Sequence, residues 1–310
     1  MSLYQRSGGK AAARTEQAPP TRRAARLNTM MACDTAFRVV ARRYLRDLTA
    51  NHEATCNGDP EALHEMRIAL TRLRTAVLFF SPMAADLRQM RVRAELKWLN
   101  AHLGGVRDLD VAIERLNAIN QDQPHTEPYY RSWSERRLDG HRTLSRALRS
   151  PRYRRLIKST SEWIESGPWS TSRAKQATKQ RASAIAVYAA DKLARWQQRL
   201  LRKSQKLLKM DAEKRHRLRL LNKKLSYSIE AFEDLFSDKR FSGQQAALKH
   251  LRKAQRSLGQ LNDDAKSHSL SAAVLQSGAH ARLEFLSPKH KKRLLRTAAA
   301  AYRKLAALQD

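Results

Sequence analysis

Residues 62–74 read Ala-Leu-His-Glu-Met-Arg-Ile-Ala-Leu-Thr-Arg-Leu-Arg, and residues 215–227 read Arg-His-Arg-Leu-Arg-Leu-Leu-Asn-Lys-Lys-Leu-Ser-Tyr. At a shift of 152 residues His216 falls on His64, Arg219 on Arg67, Lys224 on Arg72 and Leu225 on Leu73. A helix advances about 100° per residue. His64, Arg67, Thr71 and Arg74 then share one stripe, and Met66, Leu70, Leu73 and Val77 share the next. In the second copy His216, Arg219 and Lys223 lie beside Leu218, Leu221, Leu225 and Ile229. Each helix thus has an apolar face for a core and an adjacent basic face that holds a histidine. A basic stripe of this kind is usually a solvated face. Two copies with one His-to-Arg spacing argue instead for an anion shared between related helices.

The rest of the chain is helical in pattern. A first helix is expected over residues 30–51, with Phe37, Val40, Ala41, Tyr44, Leu45 and Leu48 at i, i+3, i+4, i+7 spacing. Asp59-Pro60-Glu61 is a capped start for the first histidine helix, which stops at Ser81-Pro82. A third helix carries Leu96-Lys97-Trp98-Leu99 and is expected to end at Gly104-Gly105, with Asp108 capping a fourth that reaches residue 119. No element is assigned to residues 127–150. A helix follows from Pro151 through Trp163, and Gly167-Pro168 breaks it. A long basic helix is expected over 178–208, and the second histidine helix from Asp211 to Phe236. Then come a helix ending at Leu258-Gly259, one capped by Asp263, and a last one from Ser287-Pro288. No strand is expected.

Leu103-Gly104-Gly105-Val106-Arg107-Asp108 matches Leu258-Gly259-Gln260-Leu261-Asn262-Asp263 at a shift of 155, which lays Lys97 on Arg252. The repeat therefore extends beyond the histidine helices. The expected fold is all-α: two pseudo-twofold-related antiparallel helical bundles around a basic central cleft. Residues 1–28 read as a disordered basic tail. Residues 29–310 read as a single domain, with halves at about 29–166 and 179–310 and a linker at 167–178.

Composition narrows the partner. Lys and Arg number 61 against 29 Asp and Glu, giving a net charge of +32 in 310 residues. Self-repulsion of that size fits a polyanionic partner: nucleic acid, an anionic membrane surface, or inorganic polyphosphate. Two cysteines, Cys33 and Cys56, make no disulfide framework and fit a reducing compartment. No stretch approaches the length of apolar sequence that spans a bilayer.

These residues resemble the CHAD family, the histidine-containing α-helical domain, over about residues 30–310. The matching stretches are Asp59 to Arg67, Leu103 to Val111, Ser150 to Tyr153, His216 to Arg219 and Lys223 to Tyr227. The resemblance implies two helical bundles around a basic cavity, binding of inorganic polyphosphate, and association with polyphosphate granules in the cytoplasm. The candidate polyphosphate-binding residues are His64, Arg67, Arg72, Arg74, Lys97, His216, Arg219, Lys223, Lys224 and Arg252, with Arg38, Arg42 and Arg107 as additional candidates. The family usually has a basic residue where Thr71 and Ser226 stand; here Arg74 and Lys223 keep each copy basic.

Polyphosphate offers repeated charge and no bases to read, so Arg forks and Lys point charges at successive helical turns suit it. A binding module is expected, with no catalytic residue, metal or cofactor. The alternatives are a non-specific nucleic-acid-binding protein and a phosphohistidine or metal-binding regulator. A metal site wants clustered acidic and histidine ligands, whereas both histidines here are flanked by cations. Nucleic acid would want aromatic side chains interleaved with the basic stripes, and these are missing from them.

Overall fold

A computed structural model describes residues 26–119, 126–276, 283 and 285–308. The basic tail expected over residues 1–28 lies outside the described residues as far as residue 25. Its last part packs onto the protein: Leu27 is buried and its backbone N–H donates to Asp234 Oδ2 at 3.2 Å. Among the described residues the regular elements are helices, with one isolated antiparallel bridge between Ala32 and Ala184. No helix among them is long and apolar enough to cross a membrane.

The first half comprises α1 (Cys33–Ala50), α2 (His52–Cys56), α3 (Pro60–Phe79), α4 (Ser81–Ala84), α5 (Leu87–Ile119), α6 (Glu127–Arg149) and α7 (Pro151–Ser166). The second comprises α8 (Lys175–Ala182), α9 (Ile185–Ser204), α10 (Ala212–Ala231), α11 (Gln244–Gln276) and α12 (Pro288–Ala306). The duplication is visible in the lengths. The two histidine helices, α3 and α10, have 20 residues each, and α5 and α11 have 33 each. In each half the histidine helix packs on the long one, and α3 and α10 also pack on each other.

Local chemistry fixes the helix starts. Asp59 Oδ1 accepts from the N–H of Glu61 at 2.8 Å and of Ala62 at 3.1 Å, with Pro60 at the first helical position. Asp211 Oδ1 accepts from Lys214 N–H at 2.7 Å, Ser150 Oγ from Tyr153 N–H at 3.2 Å, and Ser287 Oγ from His290 N–H at 3.3 Å. Each such cap is worth about 1 kcal/mol. The apolar stripes then bury. Met66, Leu70 and Leu73 of α3 and Ile229 of α10 have no exposed surface. Phe79, Phe80 and Phe232 meet where the two helices approach, with Phe79 and Phe232 ring centroids 5.1 Å apart. One hydrophobic core therefore runs through both halves.

Four expectations about elements are corrected. The third and fourth helices are one helix, α5, and the break expected at Gly259 is likewise inside α11. Asp108 and Asp263 are therefore mid-helix residues rather than caps. Gly104 serves a neighbour. A Cβ on Gly104 would sit 3.3 Å from Arg67 Nη1, and one on Gly259 would sit 4.0 Å from Arg219 Nε. The small residue at 104 lets the Arg67 guanidinium lie close against α5, whereas at 259 the distance is ordinary van der Waals contact. The basic helix expected over 178–208 is divided, because Ser183 and Ala184 are extended and pair with the residues before α1: Cys33 N–H donates to Ser183 O and Ile185 N–H to Met31 O. The second histidine helix ends at Ala231, short of Phe236, and Glu233–Leu235 form a separate 3-10 turn. Residues 127–149, without an expected element, form α6; only Tyr129, Trp133, Leu144 and Leu148 are buried on it, too sparse a pattern to signal a helix.

Candidate functional site

A cavity of about 1030 Å³ lies between α3, α5, α10 and α11. From α3 come His64, Arg67, Thr71 and Arg74; from α10 come His216, Arg219, Lys223 and Lys224. The two histidine helices thus turn the same face to the same space. The long helices add Arg93, Lys97, Arg107 and Asp108 on one side and Asn262, Asp263 and Lys266 on the other. Ile68, Leu78, Leu96 and Leu220 supply apolar wall, and among the described residues no Phe, Tyr or Trp lines the space.

Apart from Arg107 and Lys266, the cations lining the cavity have no carboxylate partner among the described residues. Arg67 Nη1 donates to the Leu103 carbonyl at 3.1 Å, which fixes the guanidinium over Gly104. Arg219 Nε is buried with no hydrogen-bond partner. Arg67, Arg74, Arg93, Lys97, Arg219, Lys223 and Lys224 form no ion pair within 4.0 Å among the described residues. Burial first, then the neighbouring Arg219 and Arg67, push the Lys223 amine down to about 8. Burial also lowers Lys224, with Arg74, Arg199 and Arg93 adding to it. His64 is held below the usual histidine range by burial first and then by Arg107. These surroundings disfavour charge on His64, and an anion placed there would favour it. His216 is fixed differently: its Nδ1 lies 2.6 Å from Asn262 Oδ1 and donates to that amide oxygen.

Four expected site residues lie elsewhere. Arg72 and Arg252 both bond to Glu230, at 3.4 and 2.9 Å, and neither lines the cavity. Arg72 is five residues from Arg67, about 140° round the helix, and it stacks on Tyr227 instead. Lys97 lines the cavity whereas its counterpart Arg252 does not, because Glu230 captures Arg252 at a place where the first half has Leu78. Arg38 and Arg42, on α1, bond to Asp34 and Glu165 away from the cavity. Arg107 does line it, and pairs with Glu114 at 2.9 Å. Thr71 faces the cavity, and Ser226 is buried outside it.

Arg93 and Lys266 were absent from the sequence reading. Arg93, Lys97, Asn100 and Gly104 follow i, i+4, i+7, i+11 spacing on α5, a signal that lies wholly within the expected third helix.

The comparisons with known proteins follow this geometry. A sequence model described as the CHAD domain matches residues 39–272. The crystal structure of the CHAD domain from the plant Ricinus communis aligns with a TM-score of 0.69 at 25% identity, covering 94% of this chain and 96% of that one. PptA from Streptomyces chartreusis aligns with a TM-score of 0.56 at 15% identity, covering 90% of this chain and 97% of that one, a likeness of fold alone. No curated protein matches the chain.

Proposed function

From the premise that the chain belongs to the CHAD domain family, we propose that the cavity binds inorganic polyphosphate and that the protein is a binding module of polyphosphate granules, not an enzyme. The observation that carries the reading is the convergence of cations from facing helices on one cavity. Inside it, seven cations on three helices, α3, α5 and α10, have no carboxylate within 4.0 Å among the described residues, while Arg107 and Lys266 are paired. Unmatched, partly desolvated cations converging on one space are an arrangement that a dense anion stabilises. A flexible phosphate chain can reach all four helices. Nucleic acid would bring bases, and the described lining has no Phe, Tyr or Trp on which to stack them.

The test is retention on immobilised long-chain polyphosphate against duplex DNA as competitor. Retention should survive an excess of DNA measured by charge. Complete displacement at equal charge would leave only the non-specific polyanion reading.

Lys223 gives the reading a pH signature. Burial and the neighbouring arginines push its amine down to about 8, and bound phosphate would raise that value. Affinity should therefore be level below about pH 8 and fall as pH rises from there towards the titration of the complex. An arginine stays charged throughout this range, so Lys223→Arg should remove the step. Calorimetric titrations from pH 7 to 10 check it, and an unchanged step in Lys223→Arg would assign the titration to another group.

A further inference from the structure

Asp108 and Asp263 hold equivalent places in the two halves, and both line the cavity. A carboxylate in an anion site opposes its ligand. The two halves treat theirs differently. Three residues after Asp263 stands Lys266; three residues after Asp108 stands Val111. Lys266 does not turn back to Asp263. Its Nζ lies 2.6 Å from both carboxylate oxygens of Asp108, on the opposite half. Asp263 accepts from Asn262 Nδ2 at 3.2 Å. Both members of the cross-half pair remain reachable from the cavity, with side chains 34% and 40% exposed. Asp108 also lies near Arg67, whose charge it favours.

We propose that Asp108 is a specificity-determining residue: it occupies Lys266 as a built-in competitor, which excludes short phosphate anions and admits chains. The proposal rests on the polyphosphate reading of the cavity. A short anion can gain only from cations within its own reach. Around Arg67, Arg219 and Lys223 it meets a carboxylate that repels it and already holds Lys266. A long chain engages Arg74, Lys97 and Lys224 further along at the same time. Once one part is bound, each further contact is intramolecular, so repulsion at a single point is tolerated. The discrimination thus comes from an element that disfavours the wrong ligand.

The experiment is calorimetric titration with inorganic tripolyphosphate and with long-chain polyphosphate, on the wild type, Asp108→Asn and Asp191→Asn. Asp191 is 62% exposed and pairs with Arg195 on α9, so its replacement removes the same charge away from the cavity. Asp108→Asn should tighten tripolyphosphate binding about tenfold, the effect of losing one like charge at close range in a partly solvated site. Long-chain affinity should move by less than about threefold, and Asp191→Asn should change neither. The proposal is overturned if Asp108→Asn gains no more than Asp191→Asn with tripolyphosphate, or gains equally with both lengths. Should the asparagine variant melt below the assay temperature, Asp108→Ser carries the same comparison. A wild type that fails to bind long chains would instead remove the reading of the cavity itself.

Discussion

Replacing Arg67 and Arg219 together with alanine is expected to weaken polyphosphate binding by about 2–5 kcal/mol, the usual range for truncating charged partners at a desolvated contact. The change removes two of 61 basic side chains. A diffuse electrostatic surface would scarcely register it. These two are different because Arg67 is fixed over Gly104 by the Leu103 carbonyl, Arg219 Nε is buried without a hydrogen-bond partner, and neither has a carboxylate within 4.0 Å among the described residues. Their charge is already desolvated and aimed, so little ordering remains for binding to supply. The control is Arg131→Ala with Arg142→Ala, whose side chains are 73% and 74% exposed. Titration calorimetry compares the two double variants, and circular dichroism checks that both stay folded. Equal losses would mean that only net charge acts.

Asn222→Ala should lower the free energy of unfolding by about 2–4 kcal/mol, from a cavity plus an orphaned partner. Asn222 has no exposed surface and sits beside Lys223 on α10. Its Nδ2 donates to the Leu251 carbonyl at 3.1 Å, and its Oδ1 accepts from Tyr302 OH at 3.1 Å. One side chain therefore ties α10 to both α11 and α12. The first half has Leu70 at the equivalent place, so the position itself tolerates an apolar group. The cost should come from the stranded Tyr302 hydroxyl. Asn222→Leu combined with Tyr302→Phe should then recover most of the loss in a denaturant titration, and no recovery would place the cost in packing alone.

What the sequence made legible was local. The stripes of α3 and α10 and the caps at Asp59, Asp211 and Ser287 depend on residues within a few positions of one another. The misread features depend on distant partners. Gly104 looks like a stop until Arg67 is found lying against it, 36 residues away from the carbonyl it bonds. Arg72 and Arg252 look like site residues until Glu230 takes both. The division between α8 and α9 has its cause at Ala32. Periodicity reports which face of a helix is apolar; it does not report which carboxylate will reach an arginine from another element.

The bridge between Ala32 and Ala184 bears on how the molecule comes apart. Because Cys33 and Met31 bond across to Ser183 and Ile185, and Leu27 to Asp234, the segment that opens the first half is stitched to the second. The peptide connecting α7 to α8 is then not the hinge on which the halves hang. A protease nick there is expected to leave two fragments still clasped through the opening segment and the shared aromatic core. Unfolding such a clasp requires both repeats to loosen together, so the duplicated units, separable on paper, should melt in a single calorimetric transition.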